Sequence, residues 1–376
     1  MKIKWGRLIG LVFIGICLVI DPATAAQKKG AAKTATAPKK TNLPAKTAAA
    51  PQKTSPPSMA PSVDVALVFG KTGTDPGEFG TIDGVWVDAR GRILVVDKGN
   101  QRINFFNGGG RFLKSFGEPG EGPGQFKQCT GIVIDRQQRI IVSDQNNFRL
   151  QVFDAEGKFL TAFGRKGTGD GEFLEPMGLA LDSRGHLYVS DGTRDDIQVF
   201  DENFAFIRKF GTLKPEAGRM ERIESLAVGP LPREEIFVAD EKNSRIHRFS
   251  PEGEHLGTFG KQGSGPGMFA KEVEGLAFDD LGYLYAVDET AGKIEVFTPE
   301  GRPVHSFGGG LGIRPGQFNS PDGLHYSPLY HSMLVADQKN HRVQVFHLED
   351  IWKNKKRVSQ KPDHQQTGHS AGDGRL

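Results

Sequence analysis

Two markers that repeat on one interval predict an all-β fold, a six-bladed β-propeller with four antiparallel strands in each blade. A Phe-Gly pair recurs at Phe69-Gly70, Phe116-Gly117, Phe163-Gly164, Phe210-Gly211, Phe259-Gly260 and Phe307-Gly308, at spacings of 47 to 49 residues. An aspartate recurs on the same period at Asp97, Asp144, Asp191, Asp240, Asp288 and Asp337. A repeat of this length is the signature of propeller blades. Each unit also holds four short apolar runs of strand character, as at 178–182, 187–191, 197–200 and 206–210 of the third unit, separated by turns rich in Gly, Asp and Asn. Four strands per repeat is a blade's usual make-up.

The elements are taken in chain order. Lys2, Lys4 and Arg7 form a positive start, residues 8–20 are apolar, and Ala23-Thr24-Ala25 is a small-x-small cleavage site. Residues 1–25 therefore read as a secretory signal peptide, with an uncleaved signal anchor as the alternative. The expected location is extracytoplasmic, periplasmic or secreted. Residues 26–62 carry seven Lys, six Pro and no acid. This Ala/Lys/Pro/Thr-rich composition cannot bury enough apolar surface to fold and predicts a disordered linker. The propeller is expected over 63–350. Its sixth unit supplies runs at 323–326, 333–337 and 343–347 but no fourth. Residues 63–69, ahead of the first unit, form an orphan fourth strand. That N-terminal strand is expected to close the last blade, which removes exposed sheet edges. Residues 351–376 read as a disordered basic tail.

A motif of the form Asp-x-x-Asn-x-Arg-[Ile/Leu/Val]-x-x-Phe begins at Asp97, Asp144, Asp240 and Asp337, and Pro-Gly-x-Phe loops such as Pro123-Gly124-Gln125-Phe126 and Pro315-Gly316-Gln317-Phe318 precede the inner strands. In these runs the chain resembles NHL repeats over about residues 65–348. The resemblance implies a six-bladed propeller that serves as a protein- or RNA-binding surface. A related propeller carries peptidyl-amidoglycolate lyase activity. Two units depart from the pattern: the third has Arg194-Asp195-Asp196 where Asn-x-Arg is expected, and the fourth lacks Pro-Gly-x-Phe and places Gly229-Pro-Leu-Pro232 at its first turn. The fifth carries Lys293 at the Arg position.

Charge and cysteine narrow the function. The chain's net charge is +3, yet residues 63–352 hold 32 Lys/Arg against 42 Asp/Glu, a net of −10. An acidic folded part argues against nucleic acid as a partner. Membrane contact is expected only through an uncleaved signal or the basic linker. Cys17 lies in the signal, so Cys129 alone remains, and neither a disulfide nor a cysteine zinc site can form within the propeller.

The six repeated aspartates, Asp97, Asp144, Asp191, Asp240, Asp288 and Asp337, read as structural. An Asp at a strand end can bind the amides of the next turn, and an Arg five residues on can return to it. The Phe-Gly and Pro-Gly-x-Phe rings read as packing between blades. One residue also sits at the start of each innermost strand: Asp83, Thr130, Met177, Glu224, Glu274 and Asp322. If these line a channel mouth, the carboxylates of Asp83, Glu224, Glu274 and Asp322 converge, repel one another and attract a cation. Ca²⁺ is the candidate, since it takes oxygen ligands. If the mouth is wide, each is merely solvated. The sequence points to no other cofactor. A zinc lyase needs converging histidines, and His325 alone lies on an inner strand.

Two functions stand open. The preferred one is an exported protein-binding or scaffold module, with its binding face on the loops before the inner strands. The other is a metal-dependent lactonase- or lyase-like enzyme using the acidic mouth.

Overall fold

The computed structural model describes residues 63–211 and 218–352. The expected signal peptide (1–25), the expected linker (26–62) and the rest of the expected tail beyond Trp352 lie outside the described residues.

The sheets are those of a six-bladed β-propeller, with six four-stranded antiparallel sheets following one another along the chain. Blade 1 runs Ile82–Val87, Ile93–Asp97, Arg102–Phe106 and Phe112–Phe116. The first strands of the other blades are Cys129–Ile134, Pro176–Leu181, Ile223–Val228, Val273–Phe278 and Pro321–Ser327. Each touches the first strand of the next blade, and the sixth touches the first, so these strands form the inner ring. In the sixth sheet the outermost position is taken by Leu67–Phe69, which pairs with Arg342–His347 in the register Leu67↔Val345 and Phe69↔Val343. Helix is limited among the described residues to single turns, none long and apolar enough to cross a membrane.

Burial falls from the second strand outward. Every second strand is buried along its whole length, whereas the fourth strands of blades 1, 3 and 4 alternate strictly between half-buried and exposed. The Val- and Ile-rich second strands lie between sheets, while the fourth strands form the rim. Apolar clusters fill each gap between neighbouring blades, as where Leu334 and Ala336 of blade 6 meet Val85 and Val95 of blade 1. The chain end joins one such cluster. Residue 351, the expected start of a disordered tail, is a fully buried isoleucine, and Trp352 lies 4.6 Å from the ring of Tyr283.

The Phe-Gly glycines all have positive φ, from +81° to +122°, a region open mainly to glycine. The phenylalanine of the following Pro-Gly-x-Phe loop sits against this glycine. A Cβ on Gly70 would lie 2.4 Å from the Phe79 ring, and one on Gly117 2.6 Å from Phe126. Blade 4 has no such phenylalanine. Met220, fully buried, fills the place, its methyl 2.9 Å from where a Cβ on Gly211 would stand.

The six repeated aspartates are fully buried, each binding amides of the loop before its blade. Asp337 Oδ1 accepts from Asn319 N at 2.7 Å, while Oδ2 accepts from Asn340 Nδ2, Arg342 Nε and Gln344 Nε2 at 2.8, 2.7 and 3.0 Å. The arginine then reaches back, donating to the Gln317 carbonyl at 2.8 Å. In the irregular third blade Arg194 stands two positions early. Its guanidinium still reaches the equivalent loop, at the carbonyls of Glu172 (2.5 Å) and Gly169 (3.2 Å). The departure in sequence is thus made good in space.

Candidate functional site at the channel

Every inner strand carries a register irregularity near its start, between its first and fourth residues. The residues in that gap are Asp83-Gly84, Thr130-Gly131, Met177-Gly178, Glu224-Ser225, Glu274-Gly275 and Asp322-Gly323. Each glycine faces the backbone of the next blade. A Cβ on Gly131, Gly178, Gly275 or Gly323 would lie 2.3 to 2.6 Å from the carbonyl oxygen of Met177, Glu224, Asp322 or Asp83. Blade 4 has a serine instead, and Ser225 Oγ accepts from Leu276 N at 3.1 Å. The missing side chains let the strands crowd together and hold the entrance residues in one ring.

The structure divides the four carboxylates of that ring. Asp83 is ion-paired with Lys98 at 2.9 Å, and Asp322 accepts from Gln338 Nε2 at 2.7 Å. Glu224 and Glu274 are joined by Glu241, one carboxylate oxygen from each lying within 4.8 Å of the others. Glu274 is only 6% exposed, and its Oε2 has no hydrogen-bond partner. Burial and then the Glu224 charge push the Glu274 carboxyl well above its ordinary range. Burial likewise raises Glu224 to about 7 and raises Asp322, with Asp83 adding to the latter.

Arg222 spans this cluster, at 3.1 Å from Glu175, 3.6 Å from Glu224 and 2.7 Å from Glu241. Asp83, Glu175, Glu224 and Glu241 thus share Lys98, Arg222 and Lys242, Lys242 also pairs with Glu272 at 3.5 Å, and the carboxyls of Glu274 and Asp322 stand beside them. The excess of negative charge is what a divalent cation would neutralise. An all-oxygen donor set without His or Cys suits Ca²⁺ or Mg²⁺.

Sequence reasoning missed Glu241, Lys98, Gln145 and Gln338. All four stand immediately after a repeated aspartate. The signal was present: the Asp is constant along the repeat while the next residue varies as Lys, Gln, Gly, Glu, Glu, Gln.

Beyond the ring a cavity of about 460 Å³ runs down the inner strands. Its lining takes in Asp83, Glu224 and Asp322 at one end and Asp280 and Pro328, in turns of the opposite face, at the other. None of Lys98, Arg222 or Glu241 lines it. The ion-paired cluster therefore caps the channel, which opens on the face formed by each blade's first turn.

Comparison with known proteins bears on the architecture. A family model described as a 6-bladed beta-propeller matches residues 71–142 and 136–210. No curated protein matches the chain. Among solved structures, a Bacteroides thetaiotaomicron protein of unknown function is similar at 17% identity and TM-score 0.58, over 75% of each chain. The virginiamycin B lyase of Staphylococcus aureus is similar at 12% identity and TM-score 0.53, over 75% of this chain and 98% of that one. A candidate gluconolactonase is similar at 16% identity and TM-score 0.56, over 77% of this chain and 93% of that one. At such identities the likeness carries the fold alone, and with the family match it makes this chain a six-bladed β-propeller.

Proposed function

We propose that this chain is an exported binding propeller that engages a protein partner on the face where its channel opens. The observation that carries this reading is an asymmetry in the first turns. Blades 1 to 3 expose Arg90, Arg136 and Arg184 there. Blades 4 to 6 expose Leu231, Leu281 and Leu329, at 67%, 63% and 57%. Three exposed leucines on consecutive blades break the repeat where repetition alone would give polar turns. Apolar area on one half of the face, beside arginines of which Arg90 and Arg184 are already paired with Glu156 and Asp182, fits a partner that presents leucine-like side chains. On this reading the binding face lies opposite the loops that the sequence favours.

The test is capture of a partner from the exported fraction of the source organism on the wild-type protein and on Leu281→Asp/Leu329→Asp. Loss of the central apolar anchors is expected to weaken retention at least tenfold with unchanged circular dichroism. A partner retained equally by both proteins would remove this reading.

A metal-dependent lactonase- or lyase-like enzyme is the second reading. It is favoured by the Glu224–Glu241–Glu274 cluster beside a ligand-sized cavity, and by the fold shared with a lyase and a candidate gluconolactonase. Against it, a catalytic metal keeps an open coordination position, and here Arg222 and Lys242 close over the carboxylates. Metal-loaded protein that opens lactones, and loses that activity on Glu274→Gln, would establish the second reading. Inactivity across a lactone and ester series would leave the cation a structural role.

A further inference from the structure

The open half of the channel departs from the repeat in a way that neither a docking face nor a cation site requires. At the fifth position of the inner strands, blades 3, 4 and 5 carry Ala180, Ala227 and Ala277. Blades 6 and 1 carry His325 and Trp86 at the same position, and their rings pack against each other at a 34° tilt with centroids 4.2 Å apart. Three small residues thus face two rings across one cavity, with Leu181, Val228 and Phe278 completing an apolar wall. The volume of about 460 Å³ is that of a small-molecule pocket.

His325 is the polar exception. It is 9% exposed and lines the cavity, and its Nε2 has no hydrogen-bond partner. Burial lowers its pKa to about 3, so the imidazole is neutral at physiological pH. A neutral ring nitrogen held in an apolar wall without a partner is costly unless a ligand supplies one. Anions are disfavoured by the carboxylates of Asp83, Glu224 and Asp322 on the cavity floor. Lys98 offsets the charge of Asp83, Arg222 lies 3.6 Å from Glu224, and burial favours the neutral form of Asp322, which together lessen their pull on a cationic ligand.

We propose that the open half of the channel binds an uncharged, ring-bearing small molecule, its ring against Trp86 and a hydroxyl hydrogen-bonded to His325 Nε2. A hydroxyl serves either imidazole tautomer, since it both donates and accepts. The site includes none of the leucines of the docking face, meets the cation cluster only at Glu224 on the cavity floor, and needs neither partner nor metal.

The experiment is calorimetric titration of the full chain with 2-naphthol and with naphthalene, in chelator. Saturable one-to-one binding of 2-naphthol is expected, stronger than naphthalene by about three- to tenfold, the worth of one net hydrogen bond. His325→Phe should abolish that difference while still binding naphthalene. Trp86→Ala should weaken both probes at least tenfold, and Trp86→Phe, which keeps a ring, should weaken them less and guards against a folding defect. The inference fails if 2-naphthol gives no saturable heat, or if all three variants bind it as the wild type does. It also fails if the protonated 2-naphthylmethylamine binds more than tenfold tighter than 2-naphthol, which would make the carboxylate floor the recognising group.

Discussion

Gly275→Ala is expected to lower the melting temperature by about 6–12 °C, or to prevent folding, while Gly84→Ala costs much less. A methyl group on Gly275 would stand 2.3 Å from the carbonyl oxygen of Asp322, and one on Gly131 equally close to that of Met177. The obstacle is backbone in the inner ring, which cannot turn aside as a side chain could. Relief requires two inner strands to part, and those strands anchor cores on both sides. Overpacking typically costs about 1–3 kcal/mol, a backbone obstacle puts this site at the upper end of that range, and each kcal/mol is worth roughly 2–4 °C in a domain of this size. At Gly84 the nearest atom to the new methyl is the Cγ2 methyl of Ile132 at 3.0 Å, with the Thr130 carbonyl at 3.1 Å. A shift of a few tenths of an ångström there relieves the contact. Thermal melts of the two variants side by side decide the matter, because equal losses would mean that any side chain at the irregularity is harmful and that the carbonyl approach is not the cause.

Much of this fold can be read from the sequence because a propeller states its plan six times. The aspartates and the Phe-Gly pairs are local signals repeated at fixed spacing, and repetition separates them from noise; the orphan strand expected at 63–69, observed at Leu67–Phe69, is legible because it ends in one of those Phe-Gly pairs. The way a repeat fails cannot be read in the same manner. Met220 takes the place of a phenylalanine in blade 4, and Arg194 serves from two positions early in blade 3. Both are solved by three-dimensional reach, which a linear pattern does not encode.

The acidic ring shows the same limit. Asp83, Glu224, Glu274 and Asp322 are identifiable as equivalent positions. Their division into two partnered carboxylates and one crowded cluster depends on the residue directly after each repeated aspartate: Lys98 and Gln338 in one half, Glu241 in the other. The exposed leucines were hidden for another reason. A leucine in a strand-rich repeat is expected inside, and only the path of the turn shows Leu231, Leu281 and Leu329 outside.

The carboxylate cluster makes stability depend on pH and cation together. In chelator, raising the pH from 5.5 to 8 is expected to lower the melting temperature by about 6–12 °C, and millimolar Ca²⁺ is expected to restore most of the loss. The sign comes from the direction of the shifts. Glu224 is raised from 4.5 to about 7, and Glu274 and Asp322 are raised well above their ordinary values. Folding therefore favours their protonated forms. The benefit is complete below the unfolded value near 4.5 and is lost as the pH climbs through about 7 for Glu224 and higher for the others. Glu224 alone, raised by about 2.5 units, contributes about 3 kcal/mol in full, of which about 2 kcal/mol is lost between pH 5.5 and 8, and Glu274 and Asp322 add to that loss. A divalent cation takes over the role of the protons, so the Ca²⁺-induced shift should grow as the pH rises and should add about 2.7 kcal/mol at a hundredfold excess over Kd. Glu274→Gln removes a buried acid whose Oε2 has no hydrogen-bond partner. In chelator at pH 8 that variant should melt higher than the wild type, with a shallower pH slope and little response to Ca²⁺. If Glu274→Gln instead keeps the full Ca²⁺ shift, the ion binds elsewhere. A melting temperature that stays flat from pH 5.5 to 8 would mean that Arg222, Lys98 and Lys242 already neutralise the cluster without one.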